Sequence, residues 1–143
     1  MVFVGERKND GTDIIADQTK SFVSGIKGVS DALDCAKQIA IEMRSALKRG
    51  DLEEFGKLLN RGWEEKKKYS PHISNPHIDN IYEAAVAAGA AGGKITGTGG
   101  GGYMVFYCHP DKEAFVREKL ESLGVKSVSF SFDFRGLETW KAE

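Results

Sequence analysis

An α+β fold follows from three features of the sequence: an antiparallel sheet with helices mainly on one face, built around a ferredoxin-like core. From Ser30 to Ala88 apolar residues recur at steps of three and four, the period of helices that bury one side. Beyond Gly89 the period falls to two. Tyr103–Cys108 is a run of strand formers, and Val128, Phe130, Phe132 and Phe134 alternate with Ser127, Ser129, Ser131 and Asp133. One packed and one wet face mark an antiparallel sheet covered on a single side. The resulting order is a strand, three or more helices, then ββαββ. With 143 residues, the chain reads as a single domain over 1–143.

The elements follow in order. Met1–Gly5 is a short apolar strand, Val2-Phe3-Val4, stopped by Gly5. A polar turn leads to Thr12, a candidate cap for a helix that opens with Asp13 and runs to about Val23, where Gly25 and Gly28 loosen it. From Ser30 a clearer helix aligns Ala32, Ala36, Ile39, Ala40, Met43 and Leu47. Lys48 and Arg49 suit the dipole at its end, and Gly50 stops it. Asp51 caps the next helix, with Glu54 in the capping-box position and Leu52, Phe55, Leu58, Leu59 and Trp63 as the buried stripe.

Glu64-Glu65-Lys66-Lys67-Lys68 has the look of a patch for acidic ligands, but compensating charges fit a solvated helix end better. Tyr69–Asn75 is a loop. Asn75-Pro76 reads as an N-cap followed by proline at the first helical position, with Ile78, Ile81, Tyr82, Ala85 and Ala88 on the face that follows. Lys94-Ile95-Thr96 is a short strand, Gly97–Gly102 a glycine loop, and Tyr103–Cys108 the next strand. A helix spans Asp111 to about Leu123, burying Val116, Leu120 and Leu123, and Leu137–Trp140 forms a last strand after the Phe-Ser alternation.

Composition excludes several classes. Net charge −1 argues against a strong nucleic-acid binder. The apolar stretches are far shorter than the roughly 18 residues of a membrane span, and the N-terminus lacks a basic, apolar, small-residue signal, so a cytoplasmic protein is expected. Cys35 and Cys108 form no CxxC and are expected to be buried and reduced.

Glycine is concentrated. Eight of the 17 glycines fall between Gly89 and Gly102, which excludes linker-like or collagen-like use. Gly97, Gly99 and Gly102 satisfy G-x-G-x-x-G, but a strand follows where a dinucleotide site needs a helix. A P-loop would need Gly-Lys before Ser or Thr, and Lys94 precedes the loop. The strand lysine, H-R-D and D-F-G of protein kinases are missing. The physics that survives is a run of backbone N–H groups with no Cβ in the way, suited to anionic oxygens and to phosphate above all. Thr96 and Thr98 add hydroxyl donors, and Lys94 adds charge if it faces the same side. The structural alternative is a hairpin against which another backbone packs closely, for which one glycine usually suffices.

Lys94-Ile95-Thr96-Gly97-Thr98-Gly99-Gly100-Gly101-Gly102-Tyr103 closely resembles the third signature motif of the GHMP kinases. The four consecutive glycines and following aromatic are most similar to the sugar-kinase branch acting on heptose 7-phosphate and its fucokinase-like relatives. Phe3-Val4-Gly5 and Asp13-Ile14-Ile15 resemble that branch's phrase joining its two halves. Thr98 stands where alanine is usual, and the basic residue after Gly5 is out of register, so no role is carried onto Arg7 or Lys8.

The resemblance implies the C-terminal domain of an ATP-dependent kinase for a sugar or sugar phosphate, with the γ-phosphoryl passing to a substrate hydroxyl. It implies ATP and Mg²⁺ as cofactors, held mainly by an N-terminal kinase domain absent from this chain, together with the catalytic residues. The fragment alone is then expected to be inactive. Thr96, Gly97, Thr98, Gly99, Gly100, Gly101 and Gly102, with Lys94, are the candidate substrate- and phosphate-contacting residues; no metal ligand and no nucleic-acid or membrane partner is expected. The rival reading is a non-catalytic ferredoxin-like module that binds a small anionic effector.

Other candidates read as structure. His72 and His77 lack a ligand set and read as loop histidines. Cys108-His109 points to opposite strand faces with no orienting acid. Trp63 and Trp140 read as core or interdomain packing.

Overall fold

The computed structural model describes residues 1–7 and 11–141. Nine elements follow in order: β1 (Val2–Phe3), α1 (Thr12–Val23), α2 (Lys27–Arg49), α3 (Leu52–Lys67), α4 (Pro76–Ala87), β2 (Ala90–Ile95), β3 (Tyr103–Cys108), α5 (Glu113–Ser122) and β4 (Lys126–Ser127). The strands form one sheet in the order β2-β3-β1-β4, with every neighbouring pair antiparallel. This is the ferredoxin-like arrangement expected, with α1–α4 filling the first crossover and α5 the second.

Local chemistry sets the helix ends. Asp51 accepts a hydrogen bond from the Glu54 N–H at 3.1 Å, and Asn75 accepts one from Ile78 N–H at 3.0 Å with Pro76 behind it. Gly50 ends α2 in the left-handed region, φ 70°. Gly11, not Thr12, caps α1, because its φ of 94° makes the turn and frees Thr12 to be helical.

The main core lies between the sheet and α3, α4 and α5. Trp63, Ile73, Ile78, Ile81, Ile95, Met104 and Leu120 are its fully buried large side chains. Tyr82 packs between Trp63 and Phe106 and donates to Asn60 Oδ1 at 2.6 Å; burial pushes its phenol up to about 12. A smaller cluster, Ile39, Ala46 and Leu58, joins α2 to α3. Glycines set the depth of the α3–β2 contact. A Cβ on Gly56 would lie 2.6 Å from Ala91 Cβ.

Several expectations are corrected. The second helix starts at Lys27 and carries Gly28 inside it, because the left-handed turn falls at Gly25 alone. Its buried face is Val29, Ala32, Ile39 and Ala46; Ala40 and Leu47 are exposed, because residues seven apart stay aligned while Leu47 rotates off the α3 contact. Leu52 is likewise exposed. Helix α5 begins at Glu113, since Asp111 sits at φ 61°. Its Leu123 lies beyond the helix and is exposed.

The largest departure is the C-terminal segment. The sheet stops at Ser127, with one further hydrogen bond from Val128 N–H to Met1 O at 2.8 Å. Phe130, Phe132 and Phe134 keep their two-residue alternation and stack on one another, with ring centroids 5.5 and 6.2 Å apart. They are exposed, Phe134 by 92%, and lie beyond the β1–β4 ladder, which pairs Val2 with Ser127 and Phe3 with Lys126. No strand forms at Leu137–Trp140, and Trp140 is exposed while Trp63 is core. Among the described residues, no helix is long and apolar enough to cross a membrane.

Candidate functional site

The glycine turn joins β2 to β3 at one end of the sheet. Thr96 closes its base, donating both its N–H (2.9 Å) and its hydroxyl (3.1 Å) to Tyr103 O. Gly97, Gly99, Gly100, Gly101 and Gly102 all have positive φ, between 72° and 152°. A side chain is strained at each of these positions.

Most of the turn is anchored. Gly100 N–H donates to Ile73 O at 2.8 Å, and Gly102 N–H donates to Gly5 O at 2.7 Å. The loop therefore packs on two other backbones: a Cβ on Gly99 would lie 3.0 Å from Ile73 Cα, and one on Gly101 would lie 2.9 Å from Gly5 O. Close approach thus accounts for several glycines at once. The N–H groups of Gly97, Thr98, Gly99 and Gly101 make no hydrogen bond among the described residues. Gly97 is exposed and Thr98 half-buried, whereas Gly99 and Gly101 are buried, so the donors open to a ligand concentrate at the first bend.

Two cations that the sequence reading left out meet that bend. Arg7, from the segment after β1, lies with Nη2 3.5 Å from Thr96 O, and a Cβ on Gly102 would come within 2.9 Å of the same nitrogen. Lys66, on the last turn of α3, donates from Nζ to Gly97 O. Burial, reinforced by the charges of Lys94 and Arg7, holds its ammonium down to about 8. The charge run is thus only partly a solvated helix end. Lys67 pairs with Glu64 at 2.9 Å and Lys68 with Glu65 at 2.8 Å, while Lys66 turns inward. Its spacing, three residues beyond the buried Trp63 and seven beyond Leu59, suits the packed face of α3. Lys67, four and eight residues beyond the same pair, shares that face, so spacing does not separate the two. Lys94 is exposed on β2, opposite Val105, and acts electrostatically on Lys66.

A groove of about 750 Å³ adjoins the turn, between the start of α1 and the 71–76 segment. Arg7, Asp13, Asp17, His72 and Gly100 are among its lining, and its size suits a small molecule. His72 Nε2 lies 3.4 Å from Asp17 Oδ2, so this histidine has a carboxylate neighbour. No group of three or more His, Cys, Asp or Glu able to hold a metal ion occurs among the described residues. Cys35 and Cys108 are free thiols, half-buried, and burial pushes the Cys108 thiol up.

Fold and turn together define a ferredoxin-like α+β domain with an anchored glycine turn at the end of its sheet. Residues 43–126 match the family model described as GHMP kinases C terminal, and the chain belongs to that family as its C-terminal domain. It is 34% identical over 111 residues to D-glycero-alpha-D-manno-heptose 7-phosphate kinase of Campylobacter jejuni, covering 78% of this chain and 33% of that protein. Galactokinase of Pyrococcus furiosus is 33% identical over 96 residues, 63% of this chain and 27% of that one. The chain therefore spans a third or less of the length of these curated relatives.

Among solved structures, Methanococcus jannaschii mevalonate kinase superposes with a TM-score of 0.61 at 27% identity, over 87% of this chain and 36% of that one. L. major mevalonate kinase, solved in complex with R-mevalonate, gives a TM-score of 0.75 at 23% identity over 85% of this chain and 36% of that one, a likeness of fold.

Proposed function

We propose that this chain is the C-terminal domain of an ATP-dependent kinase that phosphorylates a hydroxyl of a sugar or sugar phosphate. The observation that carries the reading is the first bend of the glycine turn, where, among the described residues, the N–H groups of Gly97 and Thr98 are unpaired beside a hydroxyl, Thr98 Oγ1, that is buried without a partner. A buried polar group left unpaired in an anchored loop costs free energy unless a ligand completes it. Family membership and the sugar-kinase relatives support the same class.

In this reading the turn forms one wall of a cleft whose other wall is an N-terminal kinase domain. Phosphoryl transfer depends on positioning and charge stabilisation, and an anchored turn offers donors that need no reorganisation as charge develops. ATP, with Mg²⁺, supplies the phosphoryl group. The donors at Gly97 and Thr98 fit phosphate oxygens, with Thr96, Gly99, Gly100, Gly101 and Gly102 shaping the turn and Lys94 adding charge. In this reading Mg²⁺ and the catalytic groups are held by the partner domain. The chain alone is then inactive.

The test is to join or co-express the chain with a GHMP kinase N-terminal domain and measure ATP-dependent phosphorylation across sugars and sugar phosphates. Turnover is expected, and Thr98→Val should lower kcat by about a hundredfold to a thousandfold, the scale of losing one positioned donor. Absence of turnover with every acceptor, alongside tight binding of an anion by the chain alone, would support an effector-binding module instead.

A further inference from the structure

We propose that Arg7, Lys66 and Lys94 form a binding site, around the Gly97 bend, for a terminal phosphate group. The three reach the bend from separate parts of the fold: the end of β1, the last turn of α3, and β2. Like charges brought together from distant points repel one another. Among the described residues none of the three forms an ion pair with a carboxylate, although the neighbouring Lys67 and Lys68 both do.

A second observation points the same way. Among the described residues Arg7 Nε is buried with no hydrogen-bond partner, as is Thr98 Oγ1, and the N–H groups of Gly97 and Thr98 are unpaired. The bend thus gathers positive charge and spare donors that, among the described residues, face backbone carbonyls but no carboxylate. A tetrahedral dianion satisfies both demands, since its oxygens accept several charge-assisted hydrogen bonds at once. Lys66 is held against Gly97 O in the meantime; burial first, and then the charges of Lys94 and Arg7, depress its ammonium pKa, and an anion would neutralise those charges. The physiological carrier of that phosphate rests on the kinase reading: it is the acceptor's own phosphate or a phosphate of the nucleotide, and both present the same chemistry.

The 143-residue chain itself is the sample for the test. Inorganic phosphate is titrated at ionic strength matched with chloride, following the amides of Gly97 and Thr98 and the side-chain signals of Lys66 by NMR. Saturable shifts with a Kd of about 1 mM, and a rise in the Lys66 pKa, are expected. Lys66→Met and Lys94→Met should each weaken binding by about tenfold. Lys94 is exposed and its side chain makes no hydrogen bond or ion pair among the described residues, so that variant reads the site even if Lys66→Met does not fold.

Two results would overturn the proposal: no saturable shift up to about 50 mM phosphate, a range covering weak sites, or unchanged affinity in Lys94→Met. If Lys66 merely secures the turn, Lys66→Met lowers the melting midpoint equally in phosphate and chloride and leaves binding untouched, which also overturns it. Titrations of a hexose 6-phosphate and of ATP assign the carrier, each judged by the loss of its binding in Lys94→Met. Phosphate binding without turnover in the assembled enzyme keeps this site and removes the kinase. Turnover with no phosphate binding does the reverse.

Discussion

The carbonyl oxygen of Gly56, on α3, occupies the space where a side chain on Gly92, on β2, would stand. A Cβ at Gly92 would lie 2.3 Å from Gly56 O and 2.7 Å from Asn60 N. Both are backbone atoms that cannot rotate away, so helix and strand approach at glycine distance. The contact also fixes where the end of α3 carries Lys66, and therefore where the ammonium meets the glycine turn.

Gly92→Ala should therefore destabilise the chain by about 3 kcal/mol or more, because the helix must lift off the sheet. Gly62→Ala on the same helix is the control. Its Cβ would sit at an ordinary 3.6 Å from Ile39 Cγ2, so replacing a helical glycine should stabilise by about 0.5–1 kcal/mol. Urea denaturation of the two variants would measure the contrast, and equal effects would mean that the close approach does not limit packing.

The cap at Asn75 gives a smaller expected effect. Asn75→Ala leaves Ile78 N–H without its side-chain partner and should cost about 1 kcal/mol, read as a shift in denaturation midpoint at constant slope. Asn75→Asp should keep most of that stability, because a carboxylate also accepts the bond and suits the helix N-terminus.

The pH dependence of stability should carry the signature of Lys66. Its folded pKa, about 8, lies below the ordinary 10.5, so between those values the unfolded chain binds more protons than the folded one. Stability therefore rises with pH across that window, once the ammonium no longer has to be held charged in a buried site beside Lys94 and Arg7. Relative to Lys66→Met, the wild type should gain about 2 kcal/mol between pH 8 and 10.5 in buffer of low salt free of multivalent anions. Parallel pH profiles in the two proteins would show that Lys66 is not desolvated. Comparing the pair cancels the opposing contributions of Tyr82 and Cys108, whose pKa values burial raises.

The aromatic residues after β4 should contribute little to the stability of this chain. Phe132 is 76% exposed, and Phe132→Ser or Phe134→Ser should change unfolding free energy by less than about 0.5 kcal/mol. Ile95→Ala, at a position with no exposure, should cost about 2–5 kcal/mol. Thermal denaturation separates the two classes, and a large loss at Phe132 would mean that the segment packs in solution.

Elements whose signals are local were legible in the sequence. Asp51, Asn75-Pro76 and Gly50 set helix ends through bonds to residues at most four positions away, and all three do so in the structure. The run Tyr103–Cys108 is a strand with the expected ends, because its β-forming residues pair with a neighbour a short turn away. The glycine cluster announced a special backbone, since five positive φ values in six residues are affordable only with glycine.

Tertiary structure decided everything that depends on what lies opposite. The alternation of Phe130, Phe132 and Phe134 reads as a strand, but a strand requires a second backbone beside it, and the ladder with β1 reaches only Ser127. Period alone could not tell that Lys66 turns inward while Lys67 and Lys68 pair outside, because that depends on how closely Gly56 and Gly92 let α3 approach the sheet. Nor could it show that Gly100 and Gly102 spend their N–H groups on Ile73 and Gly5, leaving the first bend as the part of the turn with open donors. The sequence by itself determined that this chain makes a glycine turn on an α+β frame. The assembled fold determined which of the turn's atoms face outward and which cations stand beside them, because those are contacts between segments up to 89 residues apart.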